Sequence, residues 1–284
     1  MIITRIIGGL GNQLFQYAAG KALAVNKNTD LLLDVSAFDE YKLRNFDLTA
    51  FHTEIQFAKQ EELVSLRKRN FAEKIRDNIF PMALRKVYKP KHFHFHPRFF
   101  NASPNIYLQG YWQSEKYFET ISSHIRKEFT IKEEYIKNVT QLADEIRKSS
   151  SVSVHIRRGD LNNPTTNEVH VILEIGYYKE ALQIIRQIVP DAILYFFSDD
   201  LNWVKENLHI DGAVYVSGTK SETHIEDFYL MSQCKHNIIA NSSFSWWAAW
   251  LNNNPDKIVI APKNWFNKGP KDTQDLIPAG WLRI

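Results

Sequence analysis

The chain opens with an apolar run broken only at Thr4 and Arg5, Ile2 to Ile7 (IITRII), which reads as a buried strand. Gly8 to Gly11 follow as a tight turn, and from Asn12 the segment LFQYAAGKALAV repeats apolar residues at the period of a helix. Leu31 to Val35 is a second apolar run, so the pattern predicts a strand, turn, helix and strand in that order. From Phe38 to Pro104 short helical patterns alternate with loops and predict no definite topology. Ile106 to Trp112 (IYLQGYW) then reads as a strand ahead of a helix near Ser114. A helical stretch over Tyr135 to Lys148 ends in the polar break Ser149-Ser150-Ser151. Beyond it the alternation becomes regular. Strands are predicted at Val152 to Ile156, Ile193 to Phe197, Ala213 to Val216, Asn237 to Ala240 and Lys257 to Ala261; helices at Tyr177 to Val189, Ile225 to Cys234 and Phe244 to Asn252. Alternation of this kind predicts parallel sheets covered on both faces. The break near 149 predicts two α/β domains, residues 1–148 and 149–284, with a cleft between them.

Composition alters this picture little, since 44% hydrophobic and 24% charged residues in a chain of 284 belong to a folded protein. No basic leader and cleavage site flank the first apolar run, and nowhere do eighteen apolar residues run together, which predicts a cytoplasmic protein. The single cysteine, Cys234, cannot form an internal disulfide and is expected to be buried and inert. Charge says more. The net value is only +3, yet between Arg67 and Arg98 ten lysines and arginines stand against Glu73 and Asp77, interleaved with Phe71, Ile75, Ile79 and Leu84. Residues 67–98 thus form a basic amphipathic segment. It suits a solvated helix face, or else an acidic acceptor or peripheral contact with an anionic membrane; no recognition motif accompanies it, so nucleic acid is not an expected partner.

Four motifs carry candidate chemistry. Gly8-Gly9-Leu10-Gly11-Asn12-Gln13 lies between a strand and a helix, where glycines let backbone approach an anion and the amides of Asn12 and Gln13 suit sugar hydroxyls and phosphate oxygens. Gly9, Gly11 and Asp34 partly fit a dinucleotide fingerprint, but Leu14 stands where its third glycine belongs, which argues against a nicotinamide or flavin. His155-Ile156-Arg157-Arg158-Gly159-Asp160 ends an apolar strand, the edge at which open α/β sheets bind ligands. Two adjacent guanidiniums there suit a diphosphate, which they grip bidentately and stabilise as it departs; the competing reading is an ion pair with Asp160. Ser198-Asp199-Asp200 offers acids for a ribose or base, or a cap for the next helix by Ser198 or Asp199. In Asn241-Ser242-Ser243-Phe244, Ser242 or Ser243 can cap a helix whose free amides would take phosphate or sugar oxygens. Trp246 and Trp247 beyond it read as packing, at least one of them buried. No Asp-x-Asp occurs, which favours arginine over a divalent cation as the charge on a leaving diphosphate. His92, His94 and His96 would share a face if extended, but no nearby acid or cysteine completes a metal set.

These motifs together resemble glycosyltransferase family 11, the alpha-1,2-fucosyltransferases: GGLGNQLFQYA at Gly8 to Ala18, HIRRGD at His155 to Asp160, FSDD at Phe197 to Asp200 and CKHNIIANSSFSWWAAWLN at Cys234 to Asn252 occur in that family's order. Tyr177-Tyr178 and APKNWF from Ala261 agree as well. The resemblance implies a GT-B architecture of two Rossmann-like domains, with GDP-fucose bound mainly by the second. It implies inverting, metal-independent transfer of fucose to the 2-hydroxyl of a terminal galactose, with GDP-fucose as substrate and no cofactor. It assigns the diphosphate to Arg157 and Arg158, with Arg158 meeting the developing charge, and gives Gly11, Asn12, Gln13, His155, Asp199, Ser242, Ser243 and Phe244 to donor recognition. The first candidate for the catalytic base is Asp160, which ends the arginine motif, with Glu168 and His170 in the following loop as alternatives. A nicotinamide-dependent oxidoreductase and a noncatalytic sugar-binding protein are the rival readings.

Overall fold

The computed structural model describes residues 1–40, 44–67, 79, 81–90, 92–158, 173–267 and 273–284. It divides into two compact units, Met1–Thr130 with Asp272–Leu276, and Ile131–Lys271 with Ile277–Ile284.

In the first unit β1 (Ile2–Arg5) runs into α1 (Leu10–Lys27) and returns as β2 (Leu31–Asp34). Two short helices, α2 (Ala37–Glu40) and α3 (Gln60–Arg67), precede β3 (Val87–Tyr88) and β4 (Ile106–Leu108), and α4 (Ser122–Glu128) closes the unit. The sheet is parallel in the order β2-β1-β4-β3, with Ile2 opposite both Leu31 and Ile106. Burial of β1 and β2 explains their near-unbroken apolar sequence. One glycine sets how closely α1 lies on the sheet: a Cβ on Gly20 would sit 2.2 Å from Thr4 Oγ1 and 2.8 Å from Leu31 Cδ1. The close approach that the fingerprint seeks at position 14 is thus supplied six residues later.

The second unit carries α5 (Thr140–Lys148), β5 (Ser151–Ile156), α6 (Ile175–Ile188), β6 (Ile193–Ser198), α7 (Leu201–Asn207), β7 (Val214–Tyr215), α8 (His224–Gln233), β8 (His236–Ile238), α9 (Ser243–Leu251), β9 (Val259–Ala261) and β10 (Leu282–Arg283). Its six strands are all parallel in the order β10-β9-β8-β5-β6-β7. Val152, Val154 and Ile156 of β5 pack with Leu194, Phe196, Ile238 and Ile260 against Tyr178, Ala181, Leu182 and Ile185 of α6. Helix α9 is buried nearly all round: Trp246 and Trp247 are both fully covered, Trp246 lying 5.4 Å from Trp281 and Trp247 5.2 Å from Trp250 between ring centres. A polar seam crosses this apolar layer. Asn237 Nδ2 donates to Ser153 Oγ at 2.7 Å and to the Met231 carbonyl at 2.9 Å, and Asn252 Nδ2 donates to Asn237 Oδ1 at 2.8 Å. Cys234 is buried, and burial holds its thiol far above its ordinary pKa, as an inert cysteine requires.

Among the described residues no helix is long and apolar enough to cross a membrane. Residues 68–78, 80 and 91 of the basic segment lie outside the described residues. Arg67 at its start pairs with Asp34 at 3.1 Å.

Candidate active site

In an open α/β sheet the loops leaving two neighbouring strands part where the chain reverses its direction of build-up, and the crevice between them takes the ligand. In the second unit the chain builds outward from β5 to β6 and β7, then crosses back to lay β8 on the other side of β5. The reversal therefore falls between β5 and β8. At its carboxyl edge stand Arg157 and Arg158 after β5, and Ser242, Ser243 and Phe244 at the start of α9 after β8.

Arg158 is held at two points. Its main-chain N–H donates to Asp199 Oδ1 at 2.7 Å, and its guanidinium carbon lies 4.0 Å over the centre of the Trp203 ring. Arg158 Nε is buried with no hydrogen-bond partner among the described residues. Asp199 thus ties the end of β6 to the β5 loop. The helix cap expected of Ser198 or Asp199 belongs instead to Asp200, whose carboxylate accepts from the Trp203 N–H at 3.0 Å, while Ser198 Oγ accepts from the Asp200 N–H at 3.0 Å. The physical reason is spacing, since a cap side chain reaches the N–H two or three residues on, and Trp203 is the third residue after Asp200.

His155 packs its ring against Phe244 at 5.8 Å, and Phe244 meets Phe228 at 5.3 Å. Burial, followed by the neighbouring Arg157 charge, lowers the His155 pKa to about 3, so the imidazole is neutral. It therefore adds no charge to the crevice. Ser242 caps α9, its Oγ accepting from the Phe244 N–H at 3.3 Å, while Ser243 begins the helix half-buried. Below the arginines Tyr178 is fully buried, its hydroxyl approaching the Arg157 main chain without reaching hydrogen-bond geometry; burial raises its pKa, so the phenol stays protonated. Tyr177 steadies the opposite lip by donating to the Ile239 carbonyl at 2.7 Å. Asp160, Glu168 and His170, the three candidates for a base, lie outside the described residues, as does Gly159.

The first unit has its own reversal between β1 and β4. The loop after β1 turns at Gly8, where φ is 87° and a Cβ would meet Asn12 Nδ2 at 3.0 Å, so glycine is required. Gly11 is buried within the first turn of α1. Asn12 Oδ1 accepts from Gln113 Nε2 at 2.6 Å, which fixes the orientation of the Asn12 amide; Gln113 follows Trp112, whose backbone is left-handed at φ 54°. The Gln13 amide is fully buried and bonded to main chain: it donates to Gly8 and Asn45 carbonyls at 2.9 and 2.7 Å and accepts from the Asp47 N–H at 2.9 Å. Gln13 shapes the loop from within. Asp34, the acid of the partial dinucleotide fingerprint, is 1% exposed and accepts from Tyr107 Oη at 2.6 Å, Arg67 at 3.1 Å and the Ser36 N–H at 3.0 Å. Both carboxylate oxygens are engaged within the protein, and their burial shuts out a ribose.

Sequence reasoning passed over Trp203 and Gln113, and met Tyr178 only as half of the Tyr177-Tyr178 pair, with no role for its buried hydroxyl. Of the two passed over, Trp203 carried a local signal, three residues beyond the acid pair that opens α7, and Gln113 carried none. Among the described residues no three His, Cys, Asp or Glu side chains gather as a metal set; His92 and His94 merely stack at 5.1 Å.

Known proteins resemble this chain in fold and in sequence. The structure matches a mutant Arabidopsis thaliana FUT1 in complex with GDP at a TM-score of 0.56 and 13% identity, covering 91% of this chain and 69% of that one. It matches the fucosyltransferase NodZ from Bradyrhizobium at 0.55 and 14%, covering 87% and 91%. These likenesses establish the GT-B type of α/β fold. In sequence the chain is 33% identical to an alpha-1,2-colitosyltransferase of Escherichia coli across 100% of this chain and 99% of that protein. It is 32% identical to the Escherichia coli O-antigen biosynthesis glycosyltransferase WbnK across 98% of each. Rat galactoside alpha-(1,2)-fucosyltransferase 1 aligns at 30% over 52% of this chain and 42% of its own length. With the family model matching residues 1–284 and the arginine and serine motifs brought to one sheet edge, this chain belongs to glycosyl transferase family 11.

Proposed function

We propose that the chain transfers L-fucose from GDP-fucose to the 2-hydroxyl of a terminal galactose, inverting the anomeric centre and requiring no metal. The observation that carries the reading is Arg158, set at the reversal point of the second sheet by Asp199 and Trp203. The acceptor oxygen forms a bond to C1 of fucose on the face opposite GDP, the bond from C1 to the β-phosphate oxygen breaks, and the hydroxyl proton passes to a base. GDP departs with the bonding pair, and Arg157 and Arg158 take up the negative charge it carries. Ser243 and the first amides of α9 suit further phosphate or sugar oxygens. Asn12, its amide oriented by Gln113, belongs to donor recognition by the family resemblance, and the base is sought among Asp160, Glu168 and His170. The alpha-1,2 linkage in the names of the bacterial and mammalian relatives supports the regiochemistry. The cation excess of residues 67–98 suits an anionic acceptor or membrane surface.

The test is incubation of the purified chain with GDP-fucose and a β-galactoside in the presence of EDTA. The expected product is an alpha-1,2-fucosylated galactoside, identified by its NMR linkage. Absence of fucosylated product sinks the reading. Transfer of colitose alone, from the corresponding GDP donor run in parallel, would move the assignment to the sugar named for the Escherichia coli relative.

A further inference from the structure

A guanidinium carries its five N–H groups in one plane, so whatever supports it by the edge uses up donors that a phosphate needs. A carboxylate partner does this and also cancels the charge. The group laid against Arg158 is an indole, 4.0 Å from the guanidinium carbon, and an aromatic face holds a cation without taking a single N–H. Arg158 Nε is buried and unpartnered among the described residues. Trp203 is itself fixed. It packs half-buried against the core of the second sheet, Asp200 accepts from its N–H at 3.0 Å, and Asn207 Nδ2 donates to its carbonyl at 2.9 Å. The same strand end supplies Asp199 to the Arg158 main chain, so the base and the face of the arginine are anchored by residues four apart in sequence.

We propose that Trp203 is a positioning residue for the transfer reaction: it supports Arg158 by its face and leaves the N–H edge uncommitted until charge develops on the departing diphosphate. The inference rests on the reading that Arg158 stabilises that charge. It concerns a side chain outside the motif quoted for the family, and it gives Trp203 a role that neither packing nor helix capping supplies.

The experiment compares Trp203→Leu and Trp203→Phe in the native chain and Trp203→Leu in an Arg158→Lys background, measuring kcat, GDP affinity by titration, and urea midpoint. Trp203→Leu is expected to lower kcat about 30-fold, the rate equivalent of a desolvated cation–π contact. GDP affinity should change by less than about threefold, because the support matters most when charge develops. Trp203→Phe keeps an aromatic face and should stay within about fivefold of native. In the Arg158→Lys background, which lacks a planar group to support, the leucine substitution should cost less than about threefold more. A kcat within threefold of native in Trp203→Leu overturns the proposal. So does an equal loss in both backgrounds, which marks a structural role, or a GDP affinity that falls as far as kcat, which marks a nucleotide contact. The urea midpoints of the four combinations read the contact without turnover: their additivity overturns the Trp203–Arg158 coupling even if the native chain makes no fucosylated product, a result that by itself fails only the functional reading.

Discussion

Replacing Gly20 by alanine tests whether the close seating of α1 on the first sheet is built into this residue. In an open helix the exchange would help, since alanine is favoured over glycine by about 1 kcal/mol in a helix interior. Here the added Cβ would stand 2.2 Å from Thr4 Oγ1, 2.8 Å from Leu31 Cδ1 and 3.2 Å from Thr4 Cβ. Leu31 can swing its methyl aside, but Thr4 is a short branched residue on a buried strand and cannot. Restoring van der Waals distance at Thr4 requires a separation of more than about 1 Å between helix and strand, and overpacking of this order costs roughly 1–3 kcal/mol before any backbone adjustment. A net loss of about 2 kcal/mol follows once the helix preference is set against a cost at the upper end. With a urea dependence of about 2 kcal/mol per molar, the unfolding midpoint should fall by about 1 M. Thr4→Ala in the same chain removes the obstructing oxygen and should recover much of that loss. Gly176→Ala supplies the opposite control: its Cβ would meet nothing within 4 Å at the start of α6, and a gain of about 0.5 kcal/mol is expected. A midpoint for Gly20→Ala equal to or above the native one would refute the reasoning.

Arg158→Ala should lower transfer by about 3 kcal/mol, roughly 150-fold in kcat/KM, as the loss of one preorganised oxyanion partner does; activity within tenfold of native removes Arg158 from the mechanism. Asp34 gives a pH signature. Burial alone would raise its pKa, but hydrogen bonds from Tyr107 and Ser36 and the Arg67 charge outweigh burial and hold it below the ordinary carboxylate value. A carboxylate lowered in the folded state stabilises fully above its unfolded pKa of about 3.9 and loses that contribution as pH falls through the folded value. The urea midpoints of native and Asp34→Asn chains should differ at pH 7 and converge below about pH 4; a constant gap down to pH 3 contradicts the assignment.

The long elements were legible because their side chains repeat. Helix α6, predicted at Tyr177 to Val189, spans Ile175–Ile188, and β6, predicted at Ile193 to Phe197, spans Ile193–Ser198. The strand read over Ile106 to Trp112 shortens to Ile106–Leu108, because the left-handed turn at Trp112 takes the chain off the sheet within four residues. Strands β3 and β10, two residues each, have no period to read; each exists because β4 or β9 offers a parallel edge. The same limit applies to the site. Adjacent arginines after an apolar run announce themselves, whereas Gln113 meets Asn12 across 101 positions of sequence and becomes a partner only once β4 lies beside β1. Asp34 was ambiguous for a related reason: a strand-end acid looks the same in sequence whether it faces a ribose or a tyrosine from the next strand but one.

The buried amide of Asn237 has a bearing on the candidate site that its distance from the arginines conceals. Strand β8 is only three residues long, His236-Asn237-Ile238, and Ile238 alone is apolar, so apolar contacts do little to keep β8 from sliding along β5. One step of such sliding is about 3.3 Å, enough to carry Ser242 out of line with Arg158. Asn237 opposite Ser153 works as a vernier mark, since amide and hydroxyl meet at a single setting. Each mark lies five residues upstream of a residue of the candidate site, Ser153 before Arg158 and Asn237 before Ser242, so the alignment chosen in the dry interior is handed unchanged to the wet edge of the sheet.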